Sequence, residues 1–223
     1  MTTLQPTART SLRRSKERAA TDRQALYDVL LDGMFCHLGV VRDGHPLVIP
    51  TVFAADADGP DQGGTLYLHG SVAARSLVEA PGRDLCVTCT IVDGLVLARS
   101  GFSHSMNYRS AVVIGRGRNV DDPEEKLHAL SQVVDHIVPG RSATLRSPSR
   151  KELAATAVVA MPLFEASVKR RTGGPSDDAA DIAAGVWAGV LPLRMTAGDP
   201  VTSHDAEAVA VPDEVARLAQ SLR

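Results

Sequence analysis

The chain has 223 residues, a length that favours one domain with additional segments at its ends. Hydrophobic residues make up 44% of it, enough for a core, and a net charge of -2 leaves no global basic field for nucleic acid or an anionic membrane. No apolar run reaches the roughly 18 to 20 residues of a membrane-spanning helix, and the N-terminus lacks a secretion-signal pattern. These features predict a cytoplasmic protein without nucleic-acid or membrane partners.

The first elements in the chain are a basic arm and a helix. The first twenty residues are polar with clustered basic side chains, a pattern typical of a flexible, solvated arm. Thr21 with Gln24 resembles a capping box, an apolar stripe follows, and Gly33 provides a stop signal. The predicted organisation is an arm over 1–20, a domain over 21–195 and a tail over 196–223.

Strand patterns begin at Met34 and continue through most of the chain. Asp43-Gly44 and Asp93-Gly94 each stand between apolar runs, which is the strongest short signal for a hairpin turn. At least six predicted strands with only short helices between them indicate a mainly β fold, an antiparallel barrel rather than a βαβ sheet.

Four helices are predicted among and after these strands. One begins at Ser71 and ends at Pro81-Gly82. Asp122-Pro123 opens a second that ends near Val138, and Ser149 with Glu152 caps a short third. A turn or two of helix is expected after Pro212.

The three cysteines favour reduced thiols over a disulfide framework. Cys86 and Cys89 form a C-x-x-C spacing, but a β-branched run surrounds them, and an offset of three on a strand directs the side chains to opposite faces. The seven histidines show no paired ligand spacing. We therefore predict no metal site.

Three polar clusters could carry chemistry, because the sequence contains none of the common catalytic or nucleotide-binding motifs. The first extends from His69 to Ser76. Its Gly70, Ser71 and Arg75 are suited to a phosphate at a helix start, although a plain helix cap with a surface arginine explains them equally well.

The second cluster, from Arg99 to Ser110, joins two predicted strands with a high density of hydrogen-bonding side chains. Strand alternation places Arg109 on one face and Tyr108 with Ser110 on the other. A loop-organising role is the alternative. The third cluster, Lys169-Arg170-Arg171, precedes a glycine-rich loop and the single tryptophan, Trp187, but is typical of a solvated face.

Taken together, these stretches resemble the pyridoxamine 5'-phosphate oxidase-like flavoprotein superfamily, in the flavin-nucleotide-binding branch related to nitroimidazole-resistance proteins. The resemblance extends from about Thr21 to Leu193. The matching stretches are VIPTVF, LYLHGSVAARSL, DGLVLARSGFSHSMNYRSAVVIGRG, VKRRTGGPSDD and VWAGVLPL.

The resemblance implies a six-stranded antiparallel split β-barrel of the Greek-key type that forms a homodimer and binds FMN in two clefts at the dimer interface. His69 matches a histidine that nitroimidazole-resistance relatives place near the active centre. The arginines that hold the substrate phosphate in true pyridoxamine phosphate oxidases have no clear counterpart, so vitamin B6 oxidation is not assigned. The implied cofactor-binding residues are Pro50, Thr51, Val52, His69, Ser71, Arg75, Ser76, Asn107, Tyr108, Arg109, Ser110 and Trp187.

Two functions follow from this resemblance. The first is a flavin-dependent oxidoreductase acting on a small molecule, in which FMN carries the hydride and Tyr108, His69 or His104 could donate a proton. The second is a non-catalytic protein that stores, senses or sequesters flavin or haem, since split barrels bind several cofactors.

Overall fold

The computed structural model describes residues 3–223 and is mainly β with short helices. Within these residues the strands are β1 (Ala19–Ala20), β2 (Cys36–Arg42), β3 (His45–Thr51), β4 (Phe53–Asp56), β5 (Thr65–Ser71), β6 (Asp84–Leu97), β7 (Ser105–Arg116), β8 (Arg118–Asn119), β9 (Thr156–Pro162), β10 (Ala166–Arg171) and β11 (Gly189–Pro192). The α-helices are α1 (Arg23–Asp32), α2 (Arg75–Val78), α3 (Pro123–Ile137), α4 (Arg150–Ala155), α5 (Ala179–Ala183) and α6 (Asp213–Ser221).

The strands form two sheets, and every pair of strands is antiparallel. The larger sheet has seven strands in the order β1-β10-β7-β6-β2-β3, with β11 paired to β6. The smaller has the order β4-β5-β9-β8. The predicted mainly β class and antiparallel pairing are confirmed. The predicted count of six strands is not confirmed, because short strands such as β1, β8 and β11 add to the longer ones. Within residues 3–223 the strand pairings also do not close into a barrel.

The two Asp-Gly dipeptides have different outcomes. Asp43 and Gly44 both have positive φ, 50° and 77°, as a tight two-residue hairpin requires, and they join β2 to β3 as predicted. The turn predicted at Asp93-Gly94 is wrong, because β6 continues through it with a bulge between Val92 and Gly94. A Cβ on Gly94 would lie 3.1 Å from the Leu191 carbonyl oxygen, so glycine leaves room for β11.

The helix boundaries follow local capping chemistry. Helix α1 is capped by Asp22, whose carboxylate accepts from the Gln24 N–H, and not by the predicted Thr21. Asp122 caps α3 and a full capping box of Ser149 and Glu152 opens α4, both as predicted.

Two apolar clusters stabilise the fold. The larger lies between the sheets and includes Leu26 and Leu30 of α1, with Leu66 and Leu68 of β5. The smaller lies on the other face of the four-stranded sheet, where α3 covers it, and includes Tyr67. Residues of β5 are therefore buried on both faces, since successive side chains alternate between the two clusters.

The segments that flank the predicted domain both contact it. In the arm, Leu4 is buried, and Thr7 and Arg9 donate to the Glu165 carboxylate. In the tail, α6 follows Pro212 as predicted and its Glu214 accepts from Arg141. The boundaries at residues 20 and 195 stay predictions. Over residues 3–223, none of the helices combines the length and apolar character needed to span a bilayer.

Candidate functional site

An apolar cavity adjoins the outer face of the four-stranded sheet, and His69 of β5 lines it. Tyr67 packs in the α3 cluster, and His69 lies two residues further along the strand, on the same face. Register pairs His69 with Val158 of β9. The alternation of β5 therefore directs an imidazole toward α3.

The cavity has a volume of about 420 Å³ and a mostly hydrophobic lining. This volume is within the usual range of ligand pockets, about 300 to 1,000 Å³. Helix α3 supplies one wall, the segment before α4 supplies another, and the sheet forms the floor. The lining residues are His69, Leu130, Val133, Val134, Leu145, Arg146, Pro148, Glu152 and Thr156.

The His69 imidazole has an unsatisfied ring nitrogen. Its Nδ1 atom is buried and has no hydrogen-bond partner within residues 3–223. Burial lowers the pKa of His69, which favours the neutral ring. The neutral imidazole is the form in which histidine binds a metal. His69 is among the residues predicted from the sequence, whereas the cavity around it is not.

The first predicted cluster does not form the expected helix cap. Ser71 is the last residue of β5 and its hydroxyl accepts from the Ala73 N–H, while the four-residue α2 begins only at Arg75 without a side-chain cap. Arg75 is exposed and pairs with Glu79, one turn away. Ser76 lines a shallow depression together with Arg83 and Asp84. A helix this short provides little dipole for an anion.

In the second cluster, Arg109 is held by two carboxylates. Its guanidinium donates to Asp93, with Nη2 2.9 Å from Oδ1, and also to Asp32. These hydrogen bonds raise the pKa of Arg109 above its ordinary value, and the bonds to Asp93 have a larger effect than the bond to Asp32. Ser110 donates to the Lys169 carbonyl oxygen at 3.4 Å, and Tyr108 lies half-buried opposite Arg171. A phosphate at Arg109 would have to compete with these carboxylates.

The two predicted clusters lie near opposite ends of β6 in one chain. Ser76 lies beside Asp84 at the start of that strand, whereas Arg109 contacts Asp93, nine residues further on. At about 3.3 Å per residue the separation along the strand is about 30 Å. A single chain therefore does not bring Arg75 and Arg109 to one phosphate.

The third cluster is joined to the second by a folded loop. Asn107 donates to the Gly173 carbonyl oxygen at 3.1 Å, and Arg171 donates to the Asn107 side-chain oxygen and the Gly174 carbonyl oxygen. Asp177 accepts from Arg99 at 2.8 Å, with its side chain only 1% exposed. Asp177 is not among the residues predicted from the sequence, because its partner Arg99 is 78 residues away.

The remaining predicted residues lie at the surface or where the chain crosses between the sheets. Pro50 is exposed, and Thr51 ends β3 just before the chain enters β4 of the other sheet. Val52 packs against the α3 cluster near the cavity wall. Trp187 is 68% exposed, so it is not a core residue of a single chain.

The cysteines are free thiols, as predicted. Cys86 is half-buried and Cys89 is buried on the opposite face of β6. Burial raises the pKa of Cys36 to about 12 and of Cys89 to about 11, so both remain protonated at neutral pH.

Residues 22–170 match the sequence model of the family described as pyridoxamine 5'-phosphate oxidase, which is more than half of the chain. The chain belongs to the pyridoxamine 5'-phosphate oxidase family. The match covers α1, both sheets apart from β1 and β11, and the His69 cavity. Comparison with curated proteins gives no match.

Solved structures similar to this family member match nearly its whole length. The flavocytochrome Anf3 from Azotobacter vinelandii is 34% identical with a TM-score of 0.86, covering 98% of each chain. The FAD and haem binding protein from Mycobacterium smegmatis is 37% identical with a TM-score of 0.82, covering 90% of this chain and 96% of its own.

A third similar structure confirms the predicted branch. It is described as a 5-nitroimidazole antibiotic resistance protein from Bacteroides thetaiotaomicron, and it is 26% identical with a TM-score of 0.54. The match covers 68% of this chain and 85% of the other. The predicted resemblance to this family and to nitroimidazole-resistance proteins is therefore confirmed.

Proposed function

We propose that this protein is a redox protein that binds both a flavin and haem, with haem in the His69 cavity. The observation that carries the proposal is the His69 imidazole on the sheet that forms the floor of an apolar cavity, where burial favours the neutral ring. Similarity over nearly the whole chain to a flavocytochrome and to a protein that binds FAD and haem supports it.

The cavity is chemically suited to haem. A porphyrin is a flat apolar ring, and Leu130, Val133 and Leu145 offer it apolar contacts. Its iron already has four nitrogen ligands, so one protein imidazole is enough to hold it. The prediction that the protein has no metal site was based on the lack of paired cysteine or histidine ligands. It does not apply to haem, which needs only one histidine from the protein.

For the flavin, we propose FAD, with FMN as the alternative. The family resemblance found in the sequence implies FMN. The Mycobacterium smegmatis protein, described as binding FAD, is 37% identical to this chain and supports FAD instead. Releasing the flavin from purified protein and measuring its mass separates the two, because FAD carries an additional adenosine monophosphate.

We also propose that the protein is a homodimer with flavin sites shared between subunits. The edge strand β3 exposes Val48 by 62%, and Trp187 and Met195 are exposed by 68% and 62%. Exposed apolar side chains and an unpaired edge strand favour association with another protein surface. The separation of Arg75 from Arg109 within one chain also favours a site built from two copies.

The reaction that we propose is oxidation or reduction of a small molecule, with the flavin supplying hydride chemistry and the protein supplying position and electrostatics. No side chain is assigned as the proton donor. Turnover with a reduced nicotinamide and an artificial acceptor would separate an enzyme from a carrier.

Haemin titration of the purified protein tests the haem assignment. We expect a Soret band characteristic of ligated haem in the wild type, lost in His69→Ala because the imidazole nitrogen is removed. His204→Ala is the matched control, since His204 lies exposed in the tail. An unchanged spectrum in His69→Ala would place any haem elsewhere, and flavin content measured in the same samples reports independently on the flavin site.

A further inference from the structure

The rim of the His69 cavity carries a single cation. Among the lining residues only Arg146 and Glu152 have charged side chains, and they form an ion pair at 2.6 Å. Their side chains are 72% and 48% exposed, whereas the floor and walls are mostly apolar. The cavity is therefore amphiphilic, apolar inside and charged at its edge.

The Arg146–Glu152 pair can open at little cost. Exposed ion pairs contribute only about 0 to 1 kcal/mol to stability. Glu152 has a second partner, because its carboxylate also accepts from the Ser149 N–H at 2.7 Å in the capping box of α4. When Arg146 turns away, Glu152 is still held and α4 keeps its cap.

Arg146 also retains donor capacity. Its Nη1 and Nη2 atoms donate to Glu152, and Nη1 donates to the Ser147 carbonyl oxygen at 3.1 Å. Its Nε makes no hydrogen bond within residues 3–223, and a guanidinium has five N–H donors in a planar fork suited to a carboxylate. A second carboxylate can therefore bind without complete loss of the first.

We propose that Arg146 binds a propionate carboxylate of the haem seated in the His69 cavity, an assignment that rests on the proposed haem function. Haem is amphiphilic in the same way as the cavity, with an apolar ring and two carboxylates on one edge. With His69 in the floor and Arg146 at the rim, the cavity determines which edge of the porphyrin faces solvent. Arg146 then selects a carboxylated porphyrin over an uncharged one.

The experiment compares haemin with haemin dimethyl ester, which keeps the iron and the ring but has no carboxylate charge. Both are titrated by absorbance into the wild type, Arg146→Ala and Glu152→Gln. Arg150→Ala is the matched control, because Arg150 is an exposed arginine of α4 that does not line the cavity. His69→Ala is titrated in parallel.

We expect Arg146→Ala to weaken haemin binding by about tenfold, the effect of losing a charge-assisted hydrogen bond, and to leave the ester unchanged. Glu152→Gln should strengthen haemin binding, since it removes a competing carboxylate while glutamine can still cap α4. Arg150→Ala should bind both ligands as the wild type does.

Three results would overturn the assignment. If Arg146→Ala binds haemin like the wild type, or loses haemin and ester equally, no propionate contact exists. In that case a Soret band that still depends on His69 would leave the haem function standing. If the wild type binds neither ligand, the haem function and the propionate contact both fail.

Discussion

At position 33 the amino acid is determined by the space available for one Cβ atom. Gly33 ends α1 with φ of -86°, a conformation open to any residue, so backbone freedom does not explain it. A Cβ there would lie 2.0 Å from the Sγ atom of Cys89 and 3.1 Å from the Val29 carbonyl oxygen. Glycine is required at this position because the space is filled.

We expect Gly33→Ala to lower the free energy of unfolding by about 1 to 3 kcal/mol, the usual effect of overpacking a core. Urea denaturation measures it, and Gly198→Ala is the control, because a Cβ on Gly198 meets nothing within 4 Å. Adding Cys89→Ala to Gly33→Ala should recover part of the loss by removing the clashing sulfur. Equal destabilisation with and without Cys89 would contradict this explanation.

The two Asp-Gly dipeptides show where prediction from the sequence ends at the residue scale. Both stand between apolar runs, and only Asp43-Gly44 forms a turn. At Asp93-Gly94 the partners are distant in sequence: Arg109 donates to Asp93, and β11 pairs across Gly94. The dipeptide is the same in both places, so contacts with residues distant in sequence determine whether a turn forms.

At the scale of elements, the helices with strong caps were predictable, because Asp122-Pro123 and the Ser149–Glu152 box act within four residues. The short helix predicted from Ser71 to Pro81 is present as α2, but its predicted start is wrong, since pairing with Thr156 of β9 keeps Ser71 in a strand and the helix begins at Arg75. Serine also occurs in turns, where its hydroxyl bonds to a nearby backbone group, as Ser71 does with the Ala73 N–H.

A buried carboxylate, that of Glu214, attaches the C-terminal helix α6 to the segment after α3. Glu214 accepts from Arg141 Nη1 at 2.9 Å and from the Thr144 hydroxyl at 2.8 Å, and it is only 7% exposed. Thr144 directly precedes Leu145 of the cavity wall. Glu214 therefore links α6 to the segment that forms this wall.

We expect Glu214→Ala to increase hydrogen exchange in α6 and around Leu145, because both ends of the link are released. Glu207→Ala is the control, since Glu207 is exposed. Hydrogen bonds to its backbone N–H, Arg141 and Thr144 lower the pKa of Glu214 from 4.5 to about 2. Its stabilising effect is thus present above pH 4.5 and lost as the pH falls through about 2. Exchange unchanged by Glu214→Ala would show that other contacts hold α6.

At the scale of the whole molecule, the sequence indicated the family and the antiparallel fold, but not the cavity. Its floor and walls come from β5, β9, α3, α4 and the segment before α4, so residues 60 to 90 positions apart in sequence must meet. Sequence analysis could identify His69 and the separate helices. The meeting of His69 with Leu130 and Arg146 depends on the packing of α3 over the smaller sheet.

The proposed dimer with shared flavin sites predicts a result that a monomeric site cannot give. If Arg75 of one subunit and Arg109 of the other hold one flavin phosphate, Arg75→Ala and Arg109→Ala should each weaken flavin binding by about 1.5 to 3 kcal/mol. Arg116→Ala, at the exposed end of β7, should not.

Mixing the two single variants then tests the architecture. In a mixed dimer one site loses both arginines, whereas the other keeps both and should bind flavin with wild-type affinity. Fluorescence titration after subunit exchange should therefore show a high-affinity fraction that neither variant has alone. Sedimentation at low micromolar concentration is the companion measurement, because an obligate interface of more than about 2,000 Å² should hold the dimer together there. A flavin-loaded monomer, or mixtures that show only weak sites, would place Arg75 and Arg109 outside a shared phosphate site.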